Sequence, residues 1–460
     1  LMPVVMKFGG TSVADAAAFE NVARIVAAQS GALPVVVVSA MSAVTDSLLA
    51  ATIESDVDEA IASLEPTFAR YHAVAKALLS ECRAEQFIEQ CRSAADRVAE
   101  LLRAGAQNPS QRKVIQDAVV SFGEMLSSAL LPEVLNERGI QARQVDARRC
   151  IITDEEHTSA APLMAETFSH SQKELRPLVE ADVVPVLGGF FGATTNGVTT
   201  TLGRGGSDYT AALLAAALGA DELQIWTDVT GVLTADPRVV PEAQTIERLS
   251  YSEAAELAYF GAKVLHPKTI QPAIENSIPV RICNSRAPAQ QGTLVGPQTE
   301  TSPRTVKAIA HKTGVTTVQI TSARMLGAYG FLRALFEVFE RHRTVVDVVT
   351  TSEVSVSLSL DDASALPAIV NELEELGTVR VEKGRAILCV VGEGLRGTPG
   401  IAARVFSTIS DINVTLISQG ASSINFTFAI EEERVNEAVT RLHAALFEPQ
   451  KGTKNTKKIR

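Results

Sequence analysis

The order of apolar segments predicts an α/β fold with a mostly parallel sheet sandwiched by helices, followed by two small α+β modules. Three observations carry that reading. Short strand-like runs alternate with helical stretches over the first part of the chain. Those runs are apolar throughout instead of alternating with polar residues, as in strands covered on both faces. Past residue 305, a helix followed by two strands occurs twice at one constant offset, the mark of an internal repeat.

In chain order, Val4–Phe8 is an apolar run entering Gly9-Gly10. A helical stretch from Ala14 to Ser30 follows, then Pro34–Ser39, nearly all valine, which makes a βαβ pattern. The segment from Asp46 to Leu102 reads as amphipathic helices. Val183–Leu187 is a strand running into Gly188-Gly189. Asn196-Gly197 marks a hairpin turn, since that pair tolerates positive φ. Ser207–Leu218 reads as an Ala-rich helix and Glu222–Thr227 as a strand. Strands alternating with helices over roughly 290 residues imply a parallel sheet. Between Ala287 and Arg304 the composition shifts to Pro, Gly, Gln, Ser and Thr, which predicts a linker. Beyond it, Gly330 opens a helix through Arg341, followed by strands Val345–Val349 and Val354–Leu360. Gly400 opens a second helix through Ser410, followed by Val414–Ser418 and Ile424–Ile430. Phe336 falls on Phe406, Val356 on Phe426 and Leu358 on Phe428. Each copy predicts a βαββαβ unit. The expected domains are 1–295, 305–384 and 385–450, with a short basic tail, 451–460, expected to be disordered.

Composition narrows the function. Apolar residues make up 46% and charged residues 21% of 460 positions, ordinary for a soluble globular protein. Net charge is −11, which argues against nucleic-acid and anionic-membrane binding but leaves room for a local basic cluster around an anionic substrate. Five cysteines without a CxxC spacing argue against a disulfide framework or zinc site, so a reducing cytoplasm is expected. The apolar run Ala211–Leu218 is far short of the ~20 residues that cross a bilayer.

Several motifs point to phosphate chemistry. Lys7-Phe8-Gly9-Gly10-Thr11-Ser12 joins the first strand to the first helix. Its glycines admit a close ligand, the helix N-terminus offers free N–H groups, and Lys7 adds positive charge. A plain tight turn is the alternative. Gly203-Arg204-Gly205-Gly206-Ser207-Asp208 frames an arginine with three glycines ahead of a helix, with Ser207 and Asp208 as natural caps. Arg204 suits a carboxylate bidentately. Thr227 and Asp228 close a strand, where open α/β sheets bind ligands, and Arg238 follows as a phosphate contact. Lys263 stands beside Gly261, and Glu124 follows Gly123. His266 reads as structural. Phosphoryl transfer requires positioning and positive charge more than covalent help. The Walker motif and the protein-kinase signatures are absent.

The runs KFGGTSVAD from Lys7, FGE from Phe122, TTLGRGGSDYTAALLA from Thr200, WTDVTGVLTADPR from Trp226 and FGAKVLHP from Phe260 together resemble the aspartokinases of the amino-acid-kinase superfamily. The C-terminal repeat resembles that family's paired ACT domains. The resemblance implies an amino-acid-kinase fold with two ferredoxin-like ACT domains, and ATP-dependent phosphorylation of the β-carboxylate of L-aspartate, the first step toward lysine, threonine and methionine. It implies Lys7 at the transferring phosphoryl group with Gly9 and Gly10 at the phosphates. Glu124 would take the substrate ammonium beside Thr45, and Arg204 its α-carboxylate beside Ser207 and Asp208. Thr227, Asp228, Leu233, Arg238 and Lys263 would hold ATP, with Mg²⁺ bridging the phosphates and no protein metal ligand assigned.

It further implies an effector pocket like that of lysine-sensitive members. Met325, Tyr329, Gly330, Phe331, Leu332, Val346, Asp347, Thr351, Ser352 and Glu353 would line it, with Asp347 as partner of the effector ammonium. Lysine is expected over threonine, as is a homodimer or dimer of dimers through the ACT domains. The chain departs from the resemblance at Leu233, where the family carries tyrosine, and at Ala328, Arg343, Thr344 and Val345 in and near the pocket. A glutamate or acetylglutamate kinase and an inactive amino-acid sensor are the rival readings.

Overall fold

The computed structural model describes residues 2–261, 265, 267–297, 305–420 and 422–447. Two compact units emerge: Leu1–Val232 with Glu247–Tyr251 and Val264–Gln298, and Leu233–Ile246 with Ser252–Lys263 and Thr299–Arg460.

The first unit begins with β1 (Val4–Phe8), α1 (Ala16–Ala28), β2 (Pro34–Val38) and α2 (Val44–Ile53). A helical layer follows: α3 (Val57–Ser63), α4 (Glu65–Leu78), α5 (Glu81–Gln107) and α6 (Arg112–Glu137). Then come β3 (Ala142–Gln144), β4 (Ile152–Thr153), α7 (Met164–Glu180), β5 (Val184–Gly188), β6 (Phe191–Thr194), β7 (Thr199–Thr201), α8 (Gly206–Leu218) and β8 (Glu222–Thr227). β9 (Arg248–Ser250) leads directly into α9 (Tyr251–Tyr259), which from Ser252 on belongs to the second unit, and α10 (Gln271–Glu275), β10 (Val280–Asn284) and β11 (Thr293–Gly296) complete the first.

One sheet has eight strands in the order β3-β5-β2-β1-β8-β10-β11-β9. All its pairings are parallel except β10 with β11. β2 reads Pro-Val-Val-Val-Val with every residue buried, because helices cover both faces of a central parallel strand. The hairpin expected at Asn196-Gly197 forms between β6 and β7, with Gly197 at φ +81. The expected linker is shorter than predicted. Thr293–Gly296 pairs antiparallel with β10, and Thr293 and Val295 are buried. α6 is long and apolar enough in composition to cross a bilayer, but most of that stretch is buried in this unit's own core, in a cluster with Val44, Leu48 and Tyr71.

In the second unit β12 (Ala308–Thr321), α11 (Phe331–Arg341), β13 (Val349–Thr351), β14 (Ser355–Leu360), α12 (Leu366–Leu373) and β15 (Thr378–Val391) are followed by α13 (Ile401–Thr408), β16 (Leu416–Gln419), β17 (Asn425–Glu431) and α14 (Val435–Phe447). Six strands form one sheet in the order β13-β14-β12-β15-β17-β16. The repeat is real: Gly330 and Gly400 both start their helices in the left-handed region, at φ +82 and +84. The domain cut at 384/385 is corrected, since it falls inside β15. The far half of β15, Arg385–Val391, pairs with β17, and the near half, Thr378–Glu382, with Thr317–Thr321 of β12. Irregular register between Lys312 and Thr317 separates the halves of β12. The first module is thereby nested inside the second, and each has its own core, around Leu335, Leu358 and Ile369 or around Phe426, Phe428 and Leu442. The boundary at 295 also shifts. Residues 233–246 group with the second unit because Ala235 and Val240 bury themselves in its core beside Val306 and Ile309.

Candidate active site

Parallel strands β1, β2, β5 and β8 end in register at Phe8, Val38, Gly188 and Trp226-Thr227. Their outgoing loops are stitched at that edge by backbone bonds. Gly9 N–H donates to the Trp226 carbonyl at 3.1 Å, Ser39 N–H to Phe8 at 3.0 Å and Gly189 N–H to Val38 at 2.9 Å. Gly10 is required by space: a Cβ there would stand 3.0 Å from the Ala40 carbonyl oxygen. Buried Ser12 donates to Ser285 Oγ at 2.8 Å, and Ser285 donates to the Thr227 carbonyl at 3.0 Å, so the β1 loop is fixed to the end of β8.

Two glycines at φ +75, Gly203 and Gly205, turn the chain into α8. The expected cap is corrected, for Gly205 occupies the N-cap and no side chain caps this helix. Ser207 and Asp208 lie one step further in, within the first turn. Asp208 instead meets Lys7, with Nζ and Oδ1 at 2.7 Å and side chains 12% and 19% exposed. The contact is a charge pair whose angles do not make a hydrogen bond. Ser207 packs so closely on Gly189 that a Cβ there would sit 2.7 Å from it. Arg204 is exposed. Thr227 donates to its neighbour Asp228 at 3.2 Å.

Glu124 lies in the middle of α6 and is buried. Gly123 makes room for it: a Cβ on Gly123 would stand 2.7 Å from Ala40 Cβ and 3.0 Å from Val44 Cγ1. The approach sets Glu124 Oε1 3.4 Å from Thr45 Oγ1, while Oε2 is buried without a hydrogen-bond partner among the described residues. Burial pushes the carboxyl up to about 7, against the opposing pull of bonds from the Ala40 backbone, its own backbone and Thr45. Tyr71, fully buried, donates to the Gly123 carbonyl at 2.8 Å and bonds Ser127, pinning this stretch of α6.

Asp117, one to two turns earlier on α6, escaped the sequence reading. It is fully buried, accepts from Thr201 Oγ1 at 2.6 Å and from Thr158 N–H at 3.0 Å, and bonds His157 Nδ1 at 2.8 Å. It thus ties α6 to the end of β7 and to the segment beside Gly203, where Thr158 has φ +76. No motif announces it, because its partners lie 40 to 84 residues away. Ser285 escaped it likewise, since its bond to Ser12 of the first loop joins positions 273 apart.

The structure gathers Lys7, Gly9, Gly10, Thr45, Glu124, Ser207, Asp208, Thr227 and Asp228 on the first unit. Leu233 and Arg238 belong to the second unit, where Arg238 pairs with Asp236 at 2.6 Å and is otherwise exposed. Lys263 and His266 lie outside the described residues. Of the effector set, Met325, Phe331 and Val346 pack on one apolar core, while Tyr329 and Leu332 are exposed. Gly330 caps α11. Thr351 ends β13, and Ser352 and Glu353 form the turn into β14, where Ser352 bonds Ser355 at 2.8 Å. Asp347 stands at the opposite end of β13. There it accepts from Tyr259, and its Oδ2 is buried without a partner among the described residues.

Comparison with known proteins matches these features. Residues 2–284 match the Amino acid kinase family and residues 388–446 the ACT domain. Lysine-sensitive aspartokinase 3 of Escherichia coli is 38% identical over 454 residues, covering 97% of this chain and 99% of that protein. A crystal structure of E. coli aspartokinase III in complex with aspartate and ADP aligns with TM-score 0.81 at 37% identity over 97% of this chain and 100% of that one. The same enzyme in complex with lysine and aspartate gives TM-score 0.81 at 38% identity, with the same coverage. A family match over more than half the length, and a relative 38% identical across nearly all of both chains, mean that this chain belongs to the amino acid kinase family and, within it, to the aspartokinases.

Proposed function

We propose that the chain transfers the γ-phosphoryl group of ATP to the β-carboxylate of L-aspartate, giving 4-phospho-L-aspartate and ADP. Glu124 is the observation that carries this reading. A buried carboxylate with one unpartnered oxygen, beside the sheet edge that holds Lys7, is a receptor for a substrate ammonium group. Arg204 takes the α-carboxylate, with Ser207 beside it, which leaves the β-carboxylate to react. One β-carboxylate oxygen bonds to Pγ while the bond from Pγ to the bridging oxygen breaks, and that electron pair leaves with ADP. The attacking group is ionised at neutral pH, so no base is needed. Lys7 supplies charge at the transferring group, where it counts most in the transition state. Asp208 holds its ammonium in place beforehand. Gly9, Gly10, Thr227 and Asp228 form the phosphate side, with Leu233, Arg238 and Lys263 as further nucleotide contacts.

Mg²⁺ is proposed as part of the nucleotide complex. Among the described residues no three His, Cys, Asp or Glu side chains cluster to hold a metal, and no step above depends on one. Lysine is proposed as the feedback effector, with Asp347 receiving its ammonium. The E. coli relative solved with lysine supports that choice over threonine. A homodimer through the regulatory sheet is proposed as well. Its edge strands β13 and β16 carry the exposed apolar residues Val349 and Ile417, available to a second copy.

Coupled ADP release measured with L-aspartate, L-glutamate and N-acetylglutamate tests the reaction. Turnover with aspartate alone is expected. Turnover with another acid but not with aspartate overturns the substrate, and no turnover with any of them favours a sensor.

A further inference from the structure

Helix α9 carries three polar side chains along one i, i+3 ridge, and each is anchored to the regulatory sheet. Glu253, 1% exposed, pairs with Lys307 at 2.7 Å just ahead of β12. Glu256 accepts from Asn425 Nδ2 at 2.8 Å at the start of β17. Tyr259, at the helix end, donates to Asp347 Oδ1 ahead of β13. Lys307 and Asn425 belong to the second module and Asp347 to the first, so this one helix spans both. Beyond it Gly261, at φ +119, sits so close to β12 that a Cβ would be 2.7 Å from the His311 carbonyl oxygen. Lys312 Nζ lies 5.0 Å from the centre of the Tyr259 ring.

The three anchors are unequal. Glu253 has a buried cation, whereas Tyr259 offers Asp347 one neutral hydroxyl. An ionised carboxylate accepts about four hydrogen bonds, and here Oδ2 is buried with none among the described residues. A cationic N–H donor makes a bond roughly twice as strong as a neutral one.

We propose that Tyr259 is a residue of the effector site, whose hydroxyl holds Asp347 when no effector is bound and is displaced by the ammonium group of an amino-acid effector, releasing the C-terminal end of α9. This rests on the reading that Asp347 receives the effector. The exchange has a direct outlet, because the chain leaves α9 and re-enters the first unit at residue 264. The effector must break the Tyr259 bond in order to bind, so its apparent affinity is its intrinsic affinity multiplied by the fraction of molecules in the unlatched state.

Tyr259→Phe and Asp347→Asn in the full-length chain, titrated calorimetrically with lysine and with threonine, test the exchange. Amide hydrogen exchange over residues 252–260 is followed in parallel. Tyr259→Phe is expected to bind the effector about 5- to 30-fold more tightly, the equivalent of losing one hydrogen bond. Without effector it should already show the faster exchange over 252–260 that the wild type shows only at saturation. Asp347→Asn, which keeps an acceptor for Tyr259 but loses the charge, should bind neither amino acid and keep the slow exchange. Equal affinity and equal exchange in wild type and Tyr259→Phe, with binding abolished in Asp347→Asn, reject the latch and leave the effector site standing. Unchanged binding in Asp347→Asn, or no binding of either amino acid to the wild type, rejects both.

Discussion

At the scale of single residues the two charged groups of the proposed centre should separate cleanly in kinetics. Glu124 has its carboxyl raised to about 7 by burial, so at pH 6 most free enzyme carries it neutral and unable to balance an ammonium. The KM for aspartate should therefore rise as pH falls through 7, with kcat changing less; a KM flat from pH 6 to 8.5 contradicts the assignment. The same shift has a sign for stability. A carboxyl whose folded pKa exceeds its unfolded value of 4.5 takes up a proton on folding between 4.5 and 7, so Glu124 lowers stability as pH rises across that window. Bound aspartate should offset that loss, and ligand-induced melting shifts should be larger at pH 8 than at pH 6. Lys7→Ala should behave differently, lowering kcat by roughly 10²–10³-fold or more while changing the KM for aspartate little. Equal losses in binding and turnover would instead make Lys7 a ground-state anchor.

At the scale of elements, α6 is the part that positions the site. It carries Asp117, Gly123 and Glu124 within one buried stretch, and Tyr71 from α4 fixes its carbonyl row. Gly123→Ala would place a methyl 2.7 Å from Ala40 Cβ, forcing α6 away from the turn before α2. The cost should be about 1–3 kcal/mol of stability, as for overpacking generally, with an increase in aspartate KM because Glu124 moves from Thr45. Urea unfolding and steady-state kinetics on one preparation measure both, and a variant with wild-type KM would show that the helix yields without moving Glu124. Much of this element level was legible in the sequence. Valine-rich β2 and the Gly-rich turns lie where the pattern puts them, because burial on both faces and positive φ leave marks on composition. β11 was not legible, since Thr293–Gly296 is strand only through its partners β10 and β9. Asp117 left no trace for the same reason: its role is defined by Thr201 and Thr158, contacts that no local period records.

On the whole-molecule scale, the sequence repeat showed two modules but not that one is threaded through the other, because pairing between β12 and β15 joins residues 57 to 83 positions apart rather than neighbours. Nor did it show that stretches read as catalytic domain complete the regulatory core. Ala235 and Val240 are 5% and 3% exposed within a cluster containing Val306, Ile309, Val390 and Phe428. Thr234 is buried and bonds His443 of α14 at 2.8 Å. Ile309 N–H donates to the Thr234 carbonyl, and the buried Glu253–Lys307 pair joins α9 to the same sheet. Ending the chain at residue 297 would remove all of these partners at once. It would expose Ala235 and Val240 to water and take from Glu253 both its lysine and the sheet that covers it. A chain of residues 1–297 should therefore bind a hydrophobic dye, show a broadened thermal transition and lose most aspartate-dependent ADP release, although every proposed substrate contact except its regulatory companions is retained. A truncated chain that melted as cooperatively as the full one and kept its turnover would mean that residues 233–246 and 252–263 can fold onto the first unit unaided.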